Sequence, residues 1–388
     1  MRKLAFIPVL CATLLVSCSS DDDGGGEIEV PVVESATLDI ESGGSTQPNQ
    51  VYIDLSTEDM TVVRRDSWEL GFISGSDNKV VLNPSILVSA AKLEGFHDLD
   101  GLDLDADLTN SLELQTLNFT TFQMEEVTVN TIEELLEGLP MDYSMYGNLE
   151  TGIRFTDSQD GNLSTTAIGS PATSEEEAPV ILVSLGSSIP TADAEAGAIN
   201  TTGEHRGFFK IKVFMNGDDY VLQYAPLEAT SHTQVTLPKD ADNNTLLFSL
   251  EQGGIANVQP NTEDWDLNYT SIYSYYGNFN GLTAGLTYSD FVLHNTHNGV
   301  GVYSVSTEED GYSYDEFTAA DVVSSNFVTD DRSAIGSSWR STSDGPLPDL
   351  FYVIKDTDGK IYKLRFTAWV NNSGERGHPQ ITYDLLQE

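Results

Sequence analysis

Cysteine is almost absent from this chain. There are two in 388 residues, Cys11 and Cys18, both close to the N-terminus. A disulfide framework is thereby excluded, and the fold has to rest on core burial. Basic residues are scarce as well: 18 Lys and Arg stand against 61 Asp and Glu, for a formal net charge of −43. That imbalance repels phosphate backbones and anionic membranes, so no nucleic-acid partner is expected. Beyond the signal-like first residues, no hydrophobic run reaches transmembrane length. The short motifs of catalysis are missing too, with no Gly-x-Ser-x-Gly elbow, no His-Glu-x-x-His, no phosphate loop and no cysteine-based metal spacing. A secreted hydrolase using two carboxylates stays open, but a chain this acidic offers too many Asp/Glu pairs to single out a dyad. The expectation is a non-catalytic protein. Charged residues make up 20% of the chain and hydrophobic ones 39%, which describes a folded acidic protein and not a disordered one.

What is present begins at the N-terminus. Arg2 and Lys3 precede the apolar run Leu4 to Val16, which is long enough for a signal peptide and too short for a permanent span. The run ends in Leu15-Val16-Ser17-Cys18, which resembles the bacterial lipobox. Residues 1–17 are expected to be removed and Cys18 to carry the lipid. Residues 18–34 follow as a tether, and SSDDDGGG within it cannot bury anything. The acids directly after Cys18 resemble the surface-export signal of Bacteroidetes-type lipoproteins. The expected location is the outer membrane, exposed at the cell surface and anchored through Cys18, with a periplasmic face as the alternative.

Strand signals dominate the remainder, and the expected class is all-β with mainly antiparallel sheets. Segments such as Val51 to Leu55, Val180 to Leu185, Gly207 to Phe214, Tyr220 to Ala225, Phe351 to Asp356 and Lys360 to Trp369 are rich in β-branched and aromatic residues. Asn216-Gly217-Asp218-Asp219 and Asp356-Thr357-Asp358-Gly359 read as hairpin turns. Two helices are expected, at Asn130 to Gly138 and Tyr314 to Asn326.

An internal repeat is the most informative feature. Trp68-Glu69-Leu70-Gly71-Phe72 is echoed by Trp265-Asp266-Leu267-Asn268-Tyr269, each after a short extended segment (YIDL at Tyr52, LFSL at Leu247). Alternation turns Trp, Leu and the final aromatic to a core face and the acid to a solvated rim. Phe209, Ile211, Gly217, Tyr220, Leu222 and Tyr224 match Phe351, Val353, Gly359, Tyr362, Leu364 and Phe366 at one offset of 142. The Trp motifs are 197 apart, which places an insert of 55 residues within Gly95 to Asn200. The expected division is a first β unit over 35–237 and a second over 238–388, meeting near Leu237-Pro238-Lys239.

The second copy resembles the HmuY family of Bacteroidetes lipoproteins, whose best-known members bind haem. The resemblance rests on Trp265-Asp266-Leu267, on Tyr352-Val353-Ile354-Lys355 with Gly359 to Phe366, and on Gly377 with the closing Ile381 to Leu385. The first copy is a divergent echo, so two HmuY-like units in tandem are expected. The resemblance implies capture of haem or a related ligand for uptake, with a TonB-dependent receptor as partner. Haem needs an axial ligand beside an apolar slot. The position after the motif strand, a histidine in haem-binding members, is Thr270 here and Ile73 in the first copy. The candidate iron ligands are His294 and His297, with Tyr273, Tyr275 and Tyr276 nearby and Met141 and Met145 in the first copy. Asp98 to Asp107 and Asp157 to Gly161 are oxygen-rich enough for calcium, although Asp-Gly turns produce such runs without an ion. The alternative reading is a surface glycan- or protein-binding module, with Trp339 and Trp369 as exposed aromatics.

Overall fold

The computed structural model describes residues 33–388 apart from 119, 122, 140–146, 149, 150, 241, 280 and 281. Cys18, Met141 and Met145 lie outside the described residues, and for Tyr275 and Tyr276 only the backbone is described.

The chain opens with β1 (Ser35–Asp39), β2 (Asn49–Ile53), β3 (Met60–Arg64), β4 (Leu70–Ile73), β5 (Val80–Leu82) and β6 (Ser89–Leu93). The hairpin β7 (Asp107–Asn118) and β8 (Gln123–Thr131) leads into α1 (Ile132–Gly138). Then come β9 (Val180–Ser184), β10 (Phe208–Asn216), β11 (Asp219–Pro226), β12 (Thr233–Leu237), β13 (Thr245–Ser249) and β14 (Gly254–Ile255). The last part holds β15 (Leu267–Phe279), β16 (Leu282–His294), β17 (Gly301–Ser306), α2 (Thr307–Asp310), β18 (Arg340–Ser341) and β19 (Gly345–Pro346). It closes with β20 (Leu350–Lys355), β21 (Ile361–Val370) and β22 (Arg376–Gln387). The protein is all-β, with antiparallel pairing throughout the named strands.

Two five-stranded sheets have the same order, β6-β9-β10-β11-β12 and β17-β20-β21-β22-β1. Two four-stranded sheets also match, β5-β4-β13-β14 and β16-β15-β2-β3. Strands β4 to β14 thus pair among themselves, while β1 to β3 join sheets otherwise built by β15 to β22. The expected seam at 237 and 238 does not separate sheets. β13 lies beyond it and pairs with β4, and β2 lies far before it and pairs with β15. The described residues pack as one unit.

The two main cores follow the same division. One joins Leu70, Phe72, Val183, Ile211, Leu222 and Phe248, and the other joins Val51, Ile53, Leu267, Tyr352, Leu364 and Ile381. The β7–β8 hairpin and α1 fall inside Gly95 to Asn200 and cover a third cluster around Leu114, Val129 and Leu135. Helix α1 begins in a complete capping box, Thr131 with Glu134, two donors satisfied at once.

Three sequence expectations change. The 142-residue offset aligned the β10–β11 hairpin with β20–β21. By place in the sheet β20 matches β9 and β21 matches β10, because hairpins of alternating aromatics look alike wherever they sit. The helix over Tyr314 to Asn326 is replaced by the 3-10 turns Ala319–Asp321 and Ser324–Asn326. Tyr314 and Phe317 are drawn onto Phe351, with ring centroids 5.6 and 5.3 Å away. Finally, Glu69 and Asp266 are buried, not solvated: each accepts a backbone N–H, from Leu250 at 2.7 Å and from Leu55 at 2.9 Å. Those bonds stand in for water.

Candidate functional site

The chain passes between the two sets of sheets at Arg65 to Trp68 and at Thr262 to Trp265, and the two crossings are built alike. The Asn83 side chain donates to the carbonyls of Arg65 and Trp68 at 2.7 and 2.8 Å. The Asn295 side chain donates to those of Thr262 and Trp265 at 2.7 and 3.0 Å. The Asn83 N–H reaches Glu69 O at 3.0 Å, and the Asn295 N–H reaches Asp266 O at 2.9 Å. After each Asn comes a 3-10 turn, Pro84–Ile86 or Thr296–Asn298, closed by a left-handed residue, Leu87 or Gly299. Trp68 and Trp265 therefore sit in like surroundings, 7% and 9% exposed.

Between these crossings lies a cleft lined by Trp68 and Trp265 together. Its other walls come from Gln50 and Tyr52 of β2, Ile73 of β4, Asn268 and Thr270 of β15, and His294 of β16. His297, Asp157 and Arg332 complete it. The cavity volume is about 110 Å³, and counting every gap out to its open mouth raises the empty space to about 900 Å³.

His294 is 1% exposed. Its Nε2 lies 3.2 Å from Val328 O and donates to it, so Nδ1 carries the lone pair, and Nδ1 has no partner. Burial pushes the imidazole pKa down to about 4. A neutral imidazole anchored through one nitrogen, with the other free, is the arrangement a metal-ligating histidine adopts. His297 stands at the mouth and is exposed. Thr270 lines the cleft, with its hydroxyl donating to Ser271 O at 3.1 Å.

Tyr273 does not join them. It is buried in the apolar cluster of Leu87, Leu93 and Leu182, because β15 runs on past the cleft into the third core. Trp339 is no surface platform either. It is 1% exposed, stacked on Phe366 at 4.2 Å, and its indole N–H donates to Asp290 O. Trp369 is half-buried under the Arg376 guanidinium. Among the described residues no group of three or more acidic, His or Cys side chains could hold a metal ion. Asp157 instead accepts the N–H groups of Leu82 and Ala167 at 2.7 and 2.8 Å.

Sequence reasoning missed Asn83, Gln50 and Arg332, and read Asp157 as part of a calcium candidate. A usable signal was the shared Asn at the end of β5 and β16, each followed by a turn. Arg332, held through Nε by Gln159 O at 3.0 Å, had no local signature.

A pH prediction arises from His294. Folded, it stays neutral down to about 4, while an unfolded histidine takes a proton near 6.5. Unfolding therefore takes up a proton between those values, and stability is lost as pH falls. Burial raises Asp157 to about 6 and Asp266 to about 7, which favours the fold as pH falls, but both are present in wild type and variant and cancel in a comparison. The advantage of wild type over His294→Gln is expected to shrink by about 3 kcal/mol from about pH 7 to pH 4 in urea melts. A gap that stays constant over this range contradicts the assignment.

No curated protein and no solved structure matches the chain. The matching family model covers less than half of it, from just before β13 into β22, and so takes in a strand, β13, that pairs with β4. Residues 241–383 match the model of the HmuY protein family.

Proposed function

We propose that the chain is a non-catalytic, lipid-anchored capture protein of the HmuY type, with the cleft between Trp68 and Trp265 as its binding site. Its cargo on this reading is haem or a related ligand, handed to a TonB-dependent receptor at the outer membrane. The sheets of β4 to β14, which repeat the strand order of the sheets that β1 to β3 complete with β15 to β22, are a second and divergent HmuY-like unit. The observation that carries the reading is the buried, neutral His294 imidazole, with Nδ1 unpartnered, on the wall of a cleft that both tryptophans line.

Fit matters for haem. The cavity volume lies below the roughly 300–1,000 Å³ of sites that enclose a drug-sized ligand. His294 and His297 are the residues that would hold the iron of a tetrapyrrole, whose ring this cavity does not enclose. Hemin titration of the soluble chain is expected to give a Soret shift at micromolar hemin, lost in His294→Ala and weakened in His297→Ala. A flat titration in both redox states sinks haem as cargo. A second reading, a smaller hydrogen-bonding ligand, is favoured by the cavity volume itself.

A further inference from the structure

We infer that the inner end of the cleft is built for a small, uncharged, polyhydroxylated ligand of monosaccharide size. This rests on the cleft being the binding site and not on haem being its cargo. Five side chains lining the cleft are at least nine-tenths buried and carry a polar atom with no partner: Trp68 Nε1, Trp265 Nε1, Gln50 Nε2, Asn268 Oδ1 and His294 Nδ1. Buried polar side-chain atoms are nearly always hydrogen-bonded, so five exceptions around one cavity call for a common explanation.

Their chemistry narrows the ligand. The two indoles and the Gln50 amide nitrogen donate, while the Asn268 oxygen and the His294 Nδ1 accept. A carboxylate or a fully ionised phosphate group only accepts and would leave both acceptors unmet. An ammonium only donates and would leave three donors unmet. A hydroxyl does both. The net charge of −43 also opposes the approach of an anion. Among the described residues the one cation on the wall, Arg332, already feels Asp157, Asp160 and Asp331. Two indoles offer flat apolar surface for the C–H face of a ring. A cavity of about 110 Å³ suits one ring and not a chain of them.

The test is calorimetry and tryptophan fluorescence on the soluble chain with D-glucose, D-galactose, N-acetyl-D-glucosamine and myo-inositol. At least one is expected to bind with Kd below ~1 mM and to change the emission. Trp265→Phe keeps the ring and deletes the donor, and Gln50→Met keeps the length and deletes the amide. Each is expected to weaken binding about tenfold, with far-UV circular dichroism confirming the fold. The second variant stands in if the first does not fold. Wild-type protein silent to all four probes overturns the inference, as does binding that neither folded variant weakens. A hemin Soret shift with silent sugars sinks this inference alone. Silence toward both sinks the cleft as a site.

Discussion

Replacing Asp290 with alanine is expected to remove about 3–5 kcal/mol of stability, the largest single effect foreseen for this protein. Asp290 is fully buried at an irregularity in the β15–β16 pairing and has φ of +54°, a conformation Asp tolerates better than most residues. Its carboxylate receives the Tyr269 hydroxyl at 2.6 Å and the Gln47 amide at 2.5 Å. Arg376 Nη2 lies 2.5 Å from Oδ2, and Arg340 Nε lies within ion-pair distance at 3.2 Å but without hydrogen-bond geometry. One carboxylate thus compensates two buried guanidinium groups, and burial already pulls the Arg340 pKa down. Without Asp290 both cations stay in a desolvated core with no counter-charge. Asp290→Asn keeps the shape and deletes the charge, so it should cost nearly as much as alanine. Urea melts decide the matter: a loss below about 1 kcal/mol for both variants would show the cluster to be far better hydrated than its burial indicates.

Gly186→Ala is expected to cost about 2–5 kcal/mol and to weaken ligand binding in the cleft as well. Gly186 follows β9 with φ of +71°, and a Cβ there would come within 1.8 Å of the Ile86 carbonyl oxygen. That carbonyl ends the 3-10 turn Pro84–Ile86 and accepts the Ser187 N–H at 2.7 Å. A methyl group has to push the turn, and Pro84 and Ser85 line the cleft. Gly217→Ala is the control. It has φ of +65° in the β10–β11 turn, and a Cβ there meets nothing within 4 Å. It should show only the left-handed cost of about 1–2 kcal/mol. Equal melting curves for the two variants would mean that the turn yields freely and does not shape the cleft.

The strands and the two hairpin turns were legible because their signals are local: alternating β-branched residues, and Asn-Gly-Asp or Asp-Gly at the bend. The likeness of the stretches around Trp68 and Trp265 was legible for the same reason. What those residues do was not. Alternation placed Glu69 and Asp266 on a solvated rim, since nothing near them in sequence reveals that Leu250 and Leu55 bring N–H groups to them. YIDL and LFSL were seen to precede the tryptophans, but each pairs with the other motif, over a separation of about two hundred residues that no local pattern encodes. Of the candidate ligands, His294, His297 and Thr270 meet at one cleft, while Tyr273 leaves it because β15 continues past the cleft to Phe279. Tyr314 to Asn326 carried an acidic, helix-like opening, yet the β-branched Val322 and Val323 favour extended backbone, the following serines favour turns, and its aromatics gain more by packing on Phe351.

The pairing of β1 with β22 joins Ser35 to Asp384 across nearly the whole chain. During synthesis β1 has to wait for β22, whereas β4 to β14 find all their partners within one continuous stretch. The middle of the protein can collapse early, leaving β1 without β22 and the β2–β3 hairpin without β15 until those later strands arrive. Loop closure over that distance makes the final docking slow. A chain released too soon, or cut short by a few dozen residues, would hold a well-formed centre and a sticky leading end.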